Sequence, residues 1–239
     1  MRPRGSGLIG PVLALLIWAA TILAASATAA SHEHPPPLVL APGYADLQFT
    51  PPAPGSYALP PLGDAADGAA IDSAGRATSL HTLSGDKIVL LSFIYTRCSD
   101  VNGCPLATFV MKGVQNRLLA DPALTDQVRL LSFSFDPDYD TPAVLARYAE
   151  HFRAPDFDWR FLTTRSAEAL APTLDAYGQW VVRDVDEHGT YLGTVSHLLR
   201  VYLIDRERRI RNIYSTSFLH ADTVANDIRT LLSAPREPS

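Results

Sequence analysis

The two cysteines of this 239-residue chain, Cys98 and Cys104, lie in one short segment. Between them, Asn102-Gly103 favours a turn that can fold the segment back and bring the two sulfurs together. Pro105 suits the first position of a helix, which places Cys104 at the N-cap, where backbone N–H groups and the helix dipole favour a thiolate. Two such sulfurs can form a reversible disulfide or bind a soft metal ion such as Cu(I).

A histidine far along the chain is the candidate third ligand. Thioredoxin-type oxidoreductases space their cysteines C-x-x-C and carry a proline before the hairpin strand, but this chain has C-x₅-C and no proline in residues 193–198. His197 lies there instead, at the predicted start of the hairpin strand, where a neutral imidazole would complete a Cys₂His set for copper. The residues leave one alternative open, a metal-independent thiol–disulfide oxidoreductase or thiol peroxidase that uses Cys98 and Cys104.

Alternating strands and helices must position these three side chains. Apolar runs rich in β-branched and aromatic residues predict buried strands, and apolar residues at helical spacing predict helices. The predicted strands are Lys87–Thr96, Val128–Phe135, Trp159–Leu162, His197–Ile204 and Ile210–Tyr214, the last two forming a hairpin. The predicted helices are Pro105–Leu119, Pro142–Phe152, Ser166–Leu174 and Ala221–Leu232. This order predicts an α/β, thioredoxin-like fold, with a central mixed sheet covered by helices on both faces.

Four sequence blocks together resemble the SCO/SenC family of copper-binding proteins, from about residue 55 to the C-terminus. The blocks are Phe93–Cys98, Gly103–Leu106, Ser134–Pro142, and Ser196-His197 before Tyr202–Asp205. The resemblance implies that Cys98, Cys104 and His197 are copper ligands and that the two cysteines are a redox-active pair. It also implies a copper chaperone for Cu(I) and Cu(II) in cytochrome c oxidase assembly, with a copper-accepting oxidase subunit or another copper protein as partner.

The cysteine loop departs from the family pattern in one respect. The usual family spacing is C-x-x-x-C, and the loop from Cys98 to Cys104 is two residues longer. A slightly longer loop adds little closure entropy, so we expect metal binding to be retained. Copper affinity, reduction potential and partner are the properties that the longer loop is expected to alter.

The N-terminal region has the features of an export signal followed by a spacer. Arginines, an apolar run and small residues over 1–30 predict a signal peptide, with an uncleaved membrane anchor as the alternative. A proline-rich tether is predicted over 31–56, before a thioredoxin-like domain over 57–239. The mature protein is therefore expected in the periplasm or on the outer face of the cytoplasmic membrane. Cleavage after Ala29 would create an Ala30-Ser31-His32 terminus, whose amine, amide and imidazole nitrogens suit Cu(II).

The remaining polar and aromatic candidates are interpreted as structural. The net charge of −5 excludes a basic surface for nucleic acid. The cluster of Asp136, Asp138 and Asp140 is expected to be structural rather than a metal site, because Asp136-Pro137 should end a strand and Asp140-Thr141 with Pro142 should cap a helix. A supporting or docking role at the site is the alternative. The other residues expected to be structural or packed are His81, His151, His188, His220, Tyr177 and Trp180.

Overall fold

The computed structural model describes residues 38–233. The predicted signal peptide, the start of the predicted tether and the Ala30-Ser31-His32 hypothesis lie outside the described residues. No helix among the described residues is long and apolar enough to cross a membrane.

The described chain alternates strands and helices in the predicted order. The strands are β1 Gly63–Asp64, β2 Ala69–Asp72, β3 Ala77–Ser79, β4 Ile88–Ile94, β5 Val128–Ser134, β6 Trp159–Thr163, β7 Val181–Val185, β8 Tyr191–His197, β9 Val201–Ile204 and β10 Arg209–Tyr214. The helices are α1 Leu80–Ser84, α2 Cys104–Leu119, α3 Pro122–Thr125, α4 Pro142–Glu150, α5 Ala167–Ala176 and α6 Ala221–Ser233. The short strands β1–β3 and the pair β7 and β8 have no counterpart among the predicted elements.

Eight strands form one mixed sheet in the order β1-β10-β9-β4-β5-β6-β2-β3. The neighbours β4, β5 and β6 are parallel, whereas β9 runs antiparallel to β4 and β2 antiparallel to β6. All seven residues of β4 are buried, so both faces of the sheet centre are covered, as its continuous apolar sequence predicts. The α/β, thioredoxin-like fold class is confirmed.

Local signals explain where the principal helices begin. The hydroxyl of Thr141 accepts a hydrogen bond from the backbone N–H of Val144 at the start of α4. Ser166 does the same for Ala169 at the start of α5. These contacts satisfy backbone donors that have no partner inside the helix, which is why Ser and Thr favour such positions. At α2, Gly103 rather than Cys104 is the N-cap, so Cys104 is the first helical residue and the expected N-cap position was one residue too late.

The predicted strand His197–Ile204 is two strands with a break between them. His197 ends β8, which pairs with β7 in a separate two-stranded sheet, and the main sheet resumes with β9 at Val201. Across the break Leu199 is buried, and the guanidinium of Arg200 donates to the carbonyl of Gly178 at 2.8 Å. The prediction of one strand beginning at His197 was therefore wrong. The sequence is apolar almost throughout this stretch, so it gives no sign that the chain leaves the partner β7 and pairs with β4 instead.

Part of the predicted tether packs on the domain. Pro42–Tyr44 forms a 3₁₀ turn against α2, and Ala41 and Gly43 are buried. Further along, the guanidinium of Arg211 donates to the carbonyl of Leu59. Among the described residues, packing therefore begins near Val39 rather than at residue 57, because small residues of this segment fit closely against α2 and the segment before α6.

Candidate metal centre

Cys98, Cys104 and His197 come together at one end of the sheet. Cys98 lies in the loop after β4, Cys104 begins α2, and His197 ends β8. One potential ligand atom from each residue lies within 4.8 Å of the other two. Among the described residues, this is the one group of three or more His, Cys, Asp or Glu side chains close enough to hold a metal ion.

The three candidate ligands differ in exposure. Cys104 is buried, with 1% of its surface exposed, and its Sγ lies 3.4 Å from Nε2 of His197. Cys98 is half-buried, and both cysteines are free thiols. Solvent and any incoming metal therefore reach the cluster most directly at Cys98.

The imidazole of His197 is positioned by aromatic rings. Its centroid lies 4.7 Å from that of Phe135 and 6.1 Å from that of Tyr95. Nδ1 is buried without a hydrogen-bond partner among the described residues, although the second nitrogen of a ligating histidine usually donates to an oxygen. Ring packing, rather than a hydrogen bond at Nδ1, thus orients the imidazole, and its Nε2 lies within hydrogen-bond distance of the Cys104 sulfur.

The cysteines also differ in pKa. The hydrogen bond with Cys104 is the main cause of a strongly lowered pKa at Cys98, and a hydrogen bond with His197 lowers it further against the effect of burial. Burial, and then the negative charge of Cys98, raises the pKa of Cys104. The expectation that the helix N-terminus makes Cys104 the thiolate was therefore wrong, because desolvation outweighs the helix dipole there. Cys98 carries the charge.

Tyr95 closes the site on the side of β4. Burial and the charge of Cys98 raise the pKa of Tyr95 to about 12, so its phenol stays protonated. Tyr95 is part of a sequence block quoted for the family resemblance, but the sequence analysis gave it no separate role.

The three aspartates after β5 have distinct roles. Asp140 is fully buried and accepts hydrogen bonds from the backbone N–H and hydroxyl of Thr96, close to Cys98 in the chain. Asp136 pairs with Arg97 at 2.8 Å, and the exposed Asp138 pairs with Arg183 of β7 at 2.9 Å. Within the expected Asp140-Thr141 cap, Thr141 is the residue that caps α4, with Pro142 first in the helix, whereas Asp140 and Asp136 support the cysteine loop.

The other histidines lie away from the cluster. Nε2 of His81 contacts the carbonyl of Ala65, and Nε2 of His220 contacts the carbonyl of Ala45. His151 follows the end of α4, and His188 lies in the exposed turn between β7 and β8. The structural interpretation fits these positions.

The two aromatic residues before the hairpin separate. Tyr177 is buried, as expected, and donates a hydrogen bond to the carbonyl of Ala66. Trp180 is 76% exposed, so the expectation that it packs was wrong. It immediately precedes β7, a two-stranded ribbon outside the main sheet that offers little surface to bury it.

A groove of about 630 Å³ runs beside the cysteines. Its walls include Tyr95, Phe109, Tyr148 and Phe152, with Lys112 as the cation among its lining residues.

The thioredoxin-like sheet and the Cys₂His cluster define a class of protein in which a dithiol loop faces a histidine across the end of the sheet. The family model described as SCO1/SenC matches residues 68–233. The chain belongs to this family, as the four sequence blocks indicated.

Curated relatives support the same assignment. The chain is 36% identical to an SCO1 protein homolog of Bacillus subtilis over 96 residues, which cover 40% of this chain and 47% of the relative. It is 30% identical to the mitochondrial protein SCO2 homolog of Bos taurus over 168 residues, covering 70% of this chain and 59% of the relative. The chain thus spans about half the length of the curated relatives it matches.

A solved structure shows the same fold. The structure of Bradyrhizobium japonicum ScoI with copper bound superposes with a TM-score of 0.58 at 25% identity. The match covers 70% of this chain and 99% of that protein.

Proposed function

We propose that this protein binds copper through Cys98, Cys104 and His197 and delivers it to a respiratory oxidase or another copper protein. The observation that carries the proposal is the approach of two sulfurs and an imidazole nitrogen to within 4.8 Å of one another. Thiolates select Cu(I), and imidazole is a good ligand for copper in general. The B. japonicum relative, which shares the fold, has a structure with copper bound.

The asymmetry of the sulfurs suggests how the cargo is exchanged. Copper enters at Cys98, which is half-exposed and has the lowered pKa, and then reaches the buried Cys104 and His197. Release runs in the opposite order, when a ligand of the partner replaces the most accessible sulfur first. The apolar groove beside the cysteines offers the partner a surface next to that sulfur.

Titration of the reduced, metal-free protein with Cu(I) against a chelator of known affinity tests this proposal. We expect one tightly bound Cu(I), lost in Cys98→Ser and in Cys104→Ser because the metal needs both thiolates. His197→Ala should weaken Cu(I) binding and affect Cu(II) more, since imidazole suits the harder ion. His188→Ala, at the other end of the same hairpin, is the matched control and should bind normally. Tight Cu(I) binding by the double cysteine variant would contradict the site assignment.

A second candidate function is metal-independent thiol–disulfide exchange or thiol peroxidase activity. The half-exposed Cys98 with its lowered pKa favours it, because a thiolate is the attacking species in both reactions. Repeated turnover of a disulfide substrate or hydrogen peroxide by metal-free protein, abolished in Cys98→Ser, would support this function. Single-turnover behaviour would leave copper delivery as the function.

We further propose that the protein is exported, with residues 1–30 as a cleaved signal or a membrane anchor and the mature chain in the periplasm or on the outer face of the cytoplasmic membrane. The arginines and apolar run of that segment support this. N-terminal sequencing of the protein from fractionated cells tests it, and recovery of the unprocessed chain from the cytoplasm would contradict it.

A further inference from the structure

The N-terminal segment Val39–Tyr44, which we call the strap, is hydrogen-bonded to the middle of the cysteine loop. The side chain of Asn102 accepts a hydrogen bond from the backbone N–H of Ala41 at 2.7 Å and donates one to the carbonyl of Val39 at 2.7 Å. One loop side chain thus binds both a donor and an acceptor of the strap backbone. Asn102 lies only two residues before Cys104, so these hydrogen bonds act directly on the segment between the two sulfurs.

A tyrosine of the strap makes a third contact with the loop. The hydroxyl of Tyr44 donates to the carbonyl of Val101, and its ring lies 4.9 Å from that of Phe109 on α2. Burial raises the pKa of Tyr44, and the charges of Asp100 and Cys98 raise it further, so the hydroxyl keeps the proton that it donates.

The strap is in turn seated on the body of the domain. Gly43 is buried so tightly that a Cβ atom there would lie 2.3 Å from the carbonyl oxygen of Leu219 and 3.1 Å from side chains of α2. Only glycine fits this position without a shift of the backbone. The strap therefore links the cysteine loop to α2 and to the segment before α6.

We propose that the strap holds the cysteine loop in its dithiol, metal-ready arrangement, so that seating of the strap and the redox state of Cys98 and Cys104 are coupled. The inference rests on the proposed function, because it assigns a regulation to the same site. In the structure the cysteines are free thiols, the three ligand atoms are grouped, and the strap is seated. A disulfide needs the two sulfurs at about 2.05 Å, and closing it draws together the two ends of the loop that Asn102 holds to the strap.

Two variants release the strap from opposite ends. Asn102→Ala removes both side-chain hydrogen bonds from the loop, whereas Gly43→Ala unseats the strap without touching the loop. Asn116→Ala, an exposed position further along α2, is the matched control for loss of an asparagine side chain. Circular dichroism and thermal unfolding establish that each variant is folded.

The first measurement is equilibrium with glutathione in the absence of metal. When the dithiol of Cys98 and Cys104 closes to a disulfide, it loses two electrons and two protons. These convert one molecule of oxidised glutathione into two molecules of reduced glutathione. We expect both strap variants to shift this equilibrium about tenfold towards the protein disulfide, because a released loop closes more easily. Their Cu(I) affinity should fall by a similar factor, and Asn116→Ala should match the wild type in both measurements. An unchanged glutathione equilibrium in both strap variants would overturn the proposal.

Coupling is reciprocal, so the wild-type chain provides a second test. Backbone amides of residues 39–45 should exchange hydrogen faster in the disulfide form than in the dithiol form. Equal exchange in the two forms would overturn the proposal even if a variant failed to fold. If the wild type bound no copper, copper delivery would fail, while the glutathione and exchange measurements would still decide the role of the strap.

Discussion

The two sulfurs of the site differ in exposure and in pKa, so we expect them to differ in reactivity. Cys104 is covered by the fold and has a raised pKa, whereas Cys98 is half-exposed and has a lowered pKa. In thiol–disulfide exchange the thiolate attacks, so we expect Cys98 to be the sulfur that reacts with an external oxidant. Cys104 would then close the intramolecular disulfide.

That disulfide should exclude copper. Protein isolated under air is expected to show a mass lower by two hydrogens, restored by a reductant, and to bind no Cu(I) until it is reduced, because the metal needs both thiolates. Mass spectrometry before and after reduction, paired with Cu(I) titration of each form, measures this. Equal copper loading of the disulfide form would show that the sulfurs are not ligands.

Single aspartates after β5 should differ sharply in their contribution to stability. Asp140→Ala leaves the half-buried donors of Thr96 and the buried hydroxyl of Ser134 without their acceptor, which should lower the free energy of unfolding by about 3 kcal/mol. Asp138→Ala removes only an exposed ion pair and should change it by about 0.5 kcal/mol or less. Urea unfolding of the two variants makes the comparison. Equal losses would mean that Asp140 does not anchor the loop.

At the scale of elements, a single carboxylate ties together the ends of the three parallel strands opposite the metal site. Asp158, just before β6, contacts Lys87 before β4, Arg129 of β5 and Arg160 of β6. Burial alone would raise the pKa of Asp158, but hydrogen bonds from Arg129 and Arg160 lower it to about 2. The ionised form is therefore the one that the folded state prefers.

This set of ion pairs should make the free energy of unfolding depend on pH in the acid range. Because the pKa of Asp158 is depressed in the folded state, its contribution is fully present above about pH 4 and is lost as the pH falls towards 2. Asp158→Asn should cost about 2 kcal/mol at pH 7, with the difference from the wild type shrinking below pH 4. Chemical denaturation at several pH values tests this, with the exposed Asp156→Asn as control. A difference that stayed constant down to pH 2 would argue against the pairing.

The two-stranded ribbon of β7 and β8 is the element that delivers His197. It stands outside the main sheet and is tied to the body by few polar contacts, one of which joins Arg183 to Asp138. Within the ribbon, the carboxylate of Asp184 accepts hydrogen bonds from Thr194 and Ser196. The metal site is thus assembled from a rigid part, the end of β4 with α2, and a less supported part, the ribbon.

At the scale of the whole molecule, local stability should be lowest in the ribbon that carries His197. Amides of β7 and β8 should exchange hydrogen roughly 100-fold faster than those of β4, which is buried between two paired strands. Cu(I) should slow exchange in β8 and in residues 98–104 while leaving β5 unchanged, because the ligand stabilises the elements it joins.

The His197→Ala variant supplies the control for this measurement. With Cu(I) present it should show slowed exchange in the cysteine loop but not in β8, since the link to the ribbon is gone. Copper-induced protection of β8 in that variant would show that the ribbon closes without its histidine.

Much of the core and both sulfur positions could be predicted from sequence because their signals are local. The continuous apolar runs of β4 and β5 require burial on both faces, and Pro105 after Cys104 requires a helix start. His197 was found from a missing proline and from the SCO/SenC resemblance, which the family match confirms. Its role as a copper ligand stays a prediction.

Tertiary structure decided the features that depend on what lies across space. The break between β8 and β9 at residues 198–200 could not be predicted, because an apolar pattern indicates burial but not which strand is the pairing partner. The charge rests on Cys98 because the fold covers Cys104, and no feature of the cysteine loop alone shows that cover. Asn102 of the cysteine loop is hydrogen-bonded to Ala41 of the strap, 61 residues earlier in the chain. A segment expected to be only a tether therefore contacts the cysteine loop. Periodicity and residue type report on neighbours in sequence, whereas burial and long-range hydrogen bonds are set by segments that only folding brings together.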